Sequence, residues 1–392
     1  MRIGYTPEQE ALEVELRSYF GELMTPPLVE ELTSGTEGGG PQFRAAMRKL
    51  GRDGWLGIGW PQEFGGQGRT PIEQYIFASE VQRAGFPLPT LTLETVGPTI
   101  MRFGSEEQKA RFLPKILAGE LLVAIGYSEP NAGTDLASLT TRAERDGDEW
   151  VINGQKTWTS LADHSDYIWL AARTDPNSKK HRGISMFLVP TSAKGFSLHP
   201  IWTLGGVRTN ATFYENVRLP ASALVGPENG GWGLITNQLN RERVSLLVAA
   251  PLEALYDEVL RHARETKRAD GRRLIDVPWV QNHLARVRVG LGAMKLLCWK
   301  NAWSIANDVL HPADASATKV FGSEFRVESY RLLLEVVGQR GLLRKGSPEA
   351  VLAGRVERAY RSATILTFGG GTNEIQRDII SAAGLGMPRE AR

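Results

Sequence analysis

Apolar residues recur at helical spacing, then in short β-type runs, then at helical spacing again, and these changes of pattern divide the chain into three stretches. In the first, Thr6 and Gln9 are placed to form a capping box around Pro7, and Leu12, Leu16, Tyr19, Phe20 and Leu23 line one face of the helix that follows. A Gly-rich break at residues 35–41 precedes further helical patterns over Phe43 to Leu50, Ile72 to Ala84 and Glu106 to Leu117. From residue 121 to 225 short runs rich in β-branched and aromatic residues predict an antiparallel β unit, with Asn153-Gly154 as a hairpin turn. Residues 226–233 (GPENGGWG) close that unit, and helical periodicity then runs nearly to the C-terminus. The expectation is an α+β chain: a helical domain over 1–120, a β domain over 121–233 and a helical domain over 234–392. Pro251 should kink the long helix that begins near Ile235.

That long helix carries an acid on an apolar face. At helical spacing Glu242 shares its side with Ile235, Leu239, Leu246 and Ala249. Burial favours the neutral carboxyl and makes its ionised form a stronger proton acceptor, so Glu242 is either a base or an acid paired with Arg241, Arg243 or a neighbouring helix.

Composition narrows the class. A chain of 392 residues with 42% hydrophobic residues suits two or three compact units. The formal charge of +2 is spread along the sequence, and no basic run is interleaved with aromatics as a nucleic-acid groove requires. The single cysteine, Cys298, excludes an internal disulfide or a Cys-clustered metal site and is expected in the core. With no apolar leader and no membrane-length apolar run, a cytoplasmic location is expected.

Three segments carry candidate chemistry. Tyr127–Asp135 (YSEPNAGTD) leads from a strand into a turn whose backbone amides could meet an acceptor-rich ligand, although Pro, Asn and Gly also serve turning alone. Asn153–Ser160 (NGQKTWTS) would set Trp158 and Ser160 on one side of a strand, a flat ring and a hydroxyl for a flat heterocycle, unless Trp158 is core. Thr367–Arg377 (TFGGGTNEIQR) lets backbone approach a ligand through three glycines and offers Thr372 and Glu374 at a helix start, and a helix cap explains the glycines equally. Neither a GxGxxG after a strand nor a Walker loop is present.

In this order and spacing, the three segments, with Val207–Pro220 (VRTNATFYENVRLP), resemble the acyl-CoA dehydrogenase family over nearly the whole chain. The resemblance implies that family's fold: an N-terminal helical domain, a central antiparallel β-barrel-like domain and a C-terminal four-helix bundle. It also implies FAD, an acyl-CoA substrate and an electron-transfer flavoprotein as acceptor. Carried over by position, Ile125, Tyr127, Ser128, Gly133 and Thr134 match the flavin cradle, and Trp158 and Ser160 match the groups beside the ring and its N5. Thr372 and Glu374 match ribityl and pyrophosphate contacts, although the family often has Gln where Glu374 stands. Thr134, Asn240 and Arg243 match contacts to the CoA thioester.

Many members place the catalytic glutamate immediately before the Gly-Thr of the last segment, where this chain has Gly370. A minority branch carries it on the helix after the β domain, one residue before an Arg, and here that residue is Glu242 before Arg243. Its implied role is to remove the α-proton while the β-hydride passes to flavin N5. Two segments with which a neighbouring subunit usually completes the FAD site are altered: Lys267–Gly271 (KRADG) and Glu335–Gly341 (EVVGQRG). That asymmetry suggests an α2β2 heterotetramer with a related chain, as in the bacterial enzymes acting on steroid side-chain thioesters. A noncatalytic partner subunit, or a flavin monooxygenase or oxidase on the same scaffold, is the alternative.

Overall fold

The computed structural model describes residues 4–33, 38–236 and 248–388. Six helices come first: α1 (Pro7–Leu23), α2 (Pro26–Thr33), α3 (Pro41–Arg52), α4 (Pro71–Ala84), α5 (Gly97–Phe103) and α6 (Glu106–Leu117). The Thr6–Gln9 capping box forms in both directions, and Leu12, Leu16, Phe20 and Leu23 are buried. Tyr19, at the edge of that stripe, reaches out to Asp53 through its hydroxyl at 2.7 Å.

Eight strands follow: β1 (Val123–Gly126), β2 (Arg142–Asp146), β3 (Glu149–Lys156), β4 (Tyr167–Arg173), β5 (Ile184–Pro190), β6 (Phe196–Trp202), β7 (Arg208–Pro220) and β8 (Leu224–Val225). They form one sheet in the order β6-β7-β3-β2-β4-β5-β8, with β1 beside β4. The expectation of an antiparallel unit needs correction, because β1 runs parallel to β4, as does the single Arg142–Arg173 pair between β2 and β4. Between β1 and β4 the chain makes the whole β2–β3 hairpin, which returns it to the same edge in the same direction.

Asn153-Gly154 is not a hairpin turn. The β2–β3 hairpin turns instead around Gly147, and Gly154 lies inside β3 at a bulge where the register with β7 shifts. Gly154 has a φ of 151°, and a Cβ there would stand 2.5 Å from Thr141 Oγ1 and 2.7 Å from Thr141 Cα. Gly154→Ala is therefore expected to destabilise the chain by about 2 kcal/mol, read as a lower thermal midpoint.

Both faces of the sheet are buried at β4 and β5. Trp169 and Ala171 of β4 join the core of the N-terminal helices, while Ile168, Leu170 and Ala172 join a second core with Trp150, Ile152, Phe187 and Tyr214. This explains why β4 is an uninterrupted apolar run rather than an alternating one.

The C-terminal helices are α7 (Ala250–Glu265), α8 (Pro278–Ala306), α9 (Pro312–Val337), α10 (Arg355–Ala363) and α11 (Asn373–Ile379), preceded by a helical start over 231–236. Helices α7 to α10 share a third core with Tyr75 of α4, and Cys298 is buried within it as a free thiol. Pro251 occupies the first turn of α7, where its missing N–H leaves no bond unmade, so it opens a helix rather than kinking one. No helix among the described residues is long and apolar enough to cross a membrane.

Candidate active site

The exit of β1 and the end of β3 are joined into one unit. Thr157 N–H donates to the Ser128 carbonyl at 2.8 Å. Lys156, fully buried at the end of β3, donates from Nζ to the Tyr127 carbonyl at 3.0 Å and to Glu129 Oε1 at 2.8 Å. Glu129 also accepts from the N–H and hydroxyl of Thr140 and from the N–H of Thr141, at 2.7, 2.8 and 2.8 Å. Burial by itself raises the Glu129 carboxyl, but the Lys156 charge and these donors outweigh it and hold the group at about 2. Burial pushes the Lys156 ammonium down to about 8 against the attraction of Glu129. The ion pair therefore persists across the neutral range. Sequence reasoning passed over both residues, although each lies inside a quoted motif. The one available signal was a Glu and a Lys in otherwise small and hydroxylated segments.

Around this pin stand the residues expected to cradle the flavin. Ile125 is half-buried in β1 and in register with Trp169, whose indole N–H donates to the Tyr127 hydroxyl at 3.1 Å. Gly133 and Thr134 are exposed in the turn beyond Glu129, and a Cβ on Gly133 would meet nothing within 4 Å. Packing within the chain therefore does not demand that glycine. Neither Ser128 N–H, Gly133 N–H nor Thr134 N–H has a hydrogen-bond partner among the described residues.

Trp158 and Ser160 are both exposed, but strand alternation does not set them. β3 ends at Lys156, and Trp158 has a φ of 60° that turns the chain. Thr159 is buried between them, while the Trp158 side of the turn is open, with Trp158 59% exposed. The core alternative for Trp158 is thereby excluded in this chain. The turn is backed by β7: Thr159 N–H donates to the Asn210 carbonyl at 2.9 Å, and Ser160 Oγ lies 3.2 Å from Thr209 Oγ1.

Thr372 and Glu374 lie elsewhere. Thr372 caps α11, its hydroxyl accepting from Ile375 N–H at 3.3 Å. Glu374 is exposed, and hydrogen bonds from its own backbone N–H and from the Thr372 hydroxyl hold its carboxyl below the usual range. Among the described residues no hydrogen bond joins either residue to the β1 and β3 segments. The nearer bridge is the β6–β7 turn, whose Leu204 and Gly205 carbonyls accept from Arg361 and Ser362 of α10. Asn240, Glu242 and Arg243 lie outside the described residues.

The two altered segments fold back on their own chain. Glu335 is bonded by His283 Nε2 at 2.7 Å and by Arg331, beside a concavity of about 240 Å³ that Gln339 and Leu342 help to line. Asp270 is held by Arg272 at 2.8 Å and Arg268 at 3.3 Å within its own hairpin. Glu335 is thus an ion-paired acid rather than a bare one.

Trp158 thus presents an exposed, flat indole next to the bond from Thr157 N–H to the Ser128 carbonyl that ties its turn to the β1 exit. Family models for the N-terminal, middle and C-terminal domains of acyl-CoA dehydrogenase match residues 6–120, 124–217 and 229–385. Acyl-CoA dehydrogenase FadE26 of Mycobacterium tuberculosis is 55% identical over the full length of both chains. A chain in the crystal structure of the ChsE4-ChsE5 complex from Mycobacterium tuberculosis is 56% identical, with a TM-score of 0.94 over 99% of this chain and 100% of that one. A chain of the Tcur3481-Tcur3483 steroid acyl-CoA dehydrogenase is 50% identical, with a TM-score of 0.93 over the whole of both. The chain belongs to the acyl-CoA dehydrogenase family and is an oxidoreductase acting on acyl-CoA.

Proposed function

We propose that this chain is the base-bearing subunit of a heterotetrameric, FAD-dependent dehydrogenase that introduces an α,β double bond into a bulky acyl-CoA, a steroid side-chain thioester being the favoured class. The observation that carries the flavin assignment is the exposed Trp158, whose turn is tied to the β1 exit by the bond from Thr157 N–H to the Ser128 carbonyl, with the Ser128 amide left unbonded. FAD, when bound, supplies the acceptor for the hydride and its electron pair. Ile125, Tyr127, Ser128, Gly133, Thr134, Trp158 and Ser160 would hold its ring, and Thr372 and Glu374 its ribityl and pyrophosphate arm. An exposed anion at Glu374 opposes a pyrophosphate, so Thr372 and the loop amides carry more of that assignment than Glu374.

Glu242 is proposed to take the α-proton, with Asn240, Arg243 and Thr134 holding the CoA arm. The heteromeric and steroid parts rest on the relatives, whose structures are described as a ChsE4-ChsE5 complex and a steroid enzyme of two named chains. An electron-transfer flavoprotein is the proposed acceptor.

The test is co-purification with candidate sister chains, followed by flavin counting and anaerobic bleaching with a panel of acyl-CoAs. Full FAD occupancy and turnover by this chain alone would overturn the heteromer, and bleaching by short linear thioesters only would overturn the bulky substrate. A second reading, a noncatalytic partner subunit, draws on Gly370 at the usual base position. It requires that no acyl-CoA bleach the flavin. Trp158→Ala is expected to weaken FAD binding about tenfold, measured by quenching of flavin fluorescence.

A further inference from the structure

The loop Gly369–Thr372 has three consecutive glycines, with φ of 66° at Gly370 and 97° at Gly371. Such a stretch loses more conformational entropy on ordering than any other, so something must select one conformation from many. The selector is Lys319 of α9. Its side chain is only 4% exposed, and Nζ donates to the Gly371 carbonyl and to Asn373 Oδ1, both at 2.7 Å. Asn373 is itself fixed, with Oδ1 3.2 Å and Nδ2 3.0 Å from Ser323 Oγ, and Nδ2 donating to Glu324 Oε1 at 3.1 Å.

The direction of the clamp matters more than its strength. A trans peptide points its C=O and the next N–H in opposite directions, so drawing the Gly371 carbonyl inward onto Lys319 turns the Thr372 N–H outward. The N–H groups of Gly370, Gly371 and Thr372 have no hydrogen-bond partner among the described residues. Successive unbonded amides in a turn are suited to an anionic or polyol ligand. Gly371 is confined further, because a Cβ there would stand 2.7 Å from Gln376 Nε2.

We propose that Lys319 is a positioning residue that sets the Gly370–Thr372 amides for the phosphate- and polyol-bearing part of the flavin cofactor. This rests on the flavin reading above. Lys319 acts from beneath the loop, through the carbonyl, and does not itself meet the cofactor.

The test uses the full-length chain with Lys319→Met and Lys319→Arg. Hydrogen–deuterium exchange read by mass spectrometry is expected to show the hydrogen-bonded amides that flank the loop, Gly369, Ile375 and Gln376, exchanging at least tenfold faster in Lys319→Met, with the middle of α8 unchanged. Lys319→Arg, which keeps a charged donor, should lie between. FAD titrated into the chain with its co-purifying partner is expected to bind about tenfold more weakly to Lys319→Met. Unchanged loop exchange, or an equal rise through α8 and α9 that marks general loosening, overturns the proposal. So does a loosened loop with FAD affinity unaltered. If the unsubstituted protein takes up no FAD, the flavin reading fails instead, and loop exchange alone still decides whether Lys319 is the clamp.

Discussion

Glu242→Gln is expected to lower the rate of flavin reduction by acyl-CoA about 10²- to 10⁴-fold while leaving FAD bound, the range by which a positioned general base accelerates proton transfer. Gln is nearly isosteric with Glu but has no basic oxygen to receive the α-proton, so the substitution removes the chemistry and keeps the shape. Anaerobic stopped-flow bleaching at saturating thioester isolates that step from product release and from reoxidation. The pH profile supplies a second check. In the unsubstituted protein the rate should fall as pH drops and Glu242 takes up a proton, whereas the residual rate of Glu242→Gln should lack that limb. Unchanged bleaching would remove Glu242 from the mechanism and, with Gly370 at the other candidate position, leave the chain as a structural subunit.

The features that carried the fold in the sequence were those governed by local rules. A capping box and an apolar stripe located α1, and apolar periodicity located α3, α4 and α6, because each helix has its own buried face. Capping boxes at Thr70 and Ser105 then appear in the structure at the starts of α4 and α6. β2 and β6 were missed. The charged RAERD of β2 buries only Ala143, and β6 contains Pro200, which an edge strand tolerates because one side of its backbone is unpaired. Asn153-Gly154 misled for a related reason: a residue pair that can turn a hairpin can also bulge a strand, and the choice is made by Thr141 and β7 across the sheet. At the site, the turn that carries Trp158 and Ser160 depends on Asn210 and Thr209, some fifty positions further along the chain. Lys319 lies about as far from Gly371. Neither pairing has a periodic signature, since each is decided by tertiary contact alone.

Breaking the Glu129–Lys156 pair is the other change with a large expected effect. Lys156→Met leaves a carboxylate buried without its cation, and the expected destabilisation is about 3–5 kcal/mol. Glu129→Gln strands the ammonium but keeps an acceptor for Thr140 and Thr141, so it should cost less. The double substitution should be more stable than the sum of the two predicts, because each single change leaves the partner's charge uncompensated. Acid adds a sign. The folded-state value of about 2 lies below the ordinary 4.5, so Glu129 contributes stability that is fully present above about 4.5 and is lost as pH falls toward 2. That contribution is about 3 kcal/mol, and Glu129→Gln should lack this part of the acid dependence. Urea unfolding of the four proteins at neutral pH and at several acidic values measures both effects. Because the same ammonium holds the Tyr127 carbonyl beside the Trp158 turn, Lys156→Met should also weaken FAD binding at temperatures where the variant remains folded. A folded Lys156→Met protein with unaltered FAD affinity would confine the pair to stability and separate it from the cofactor site.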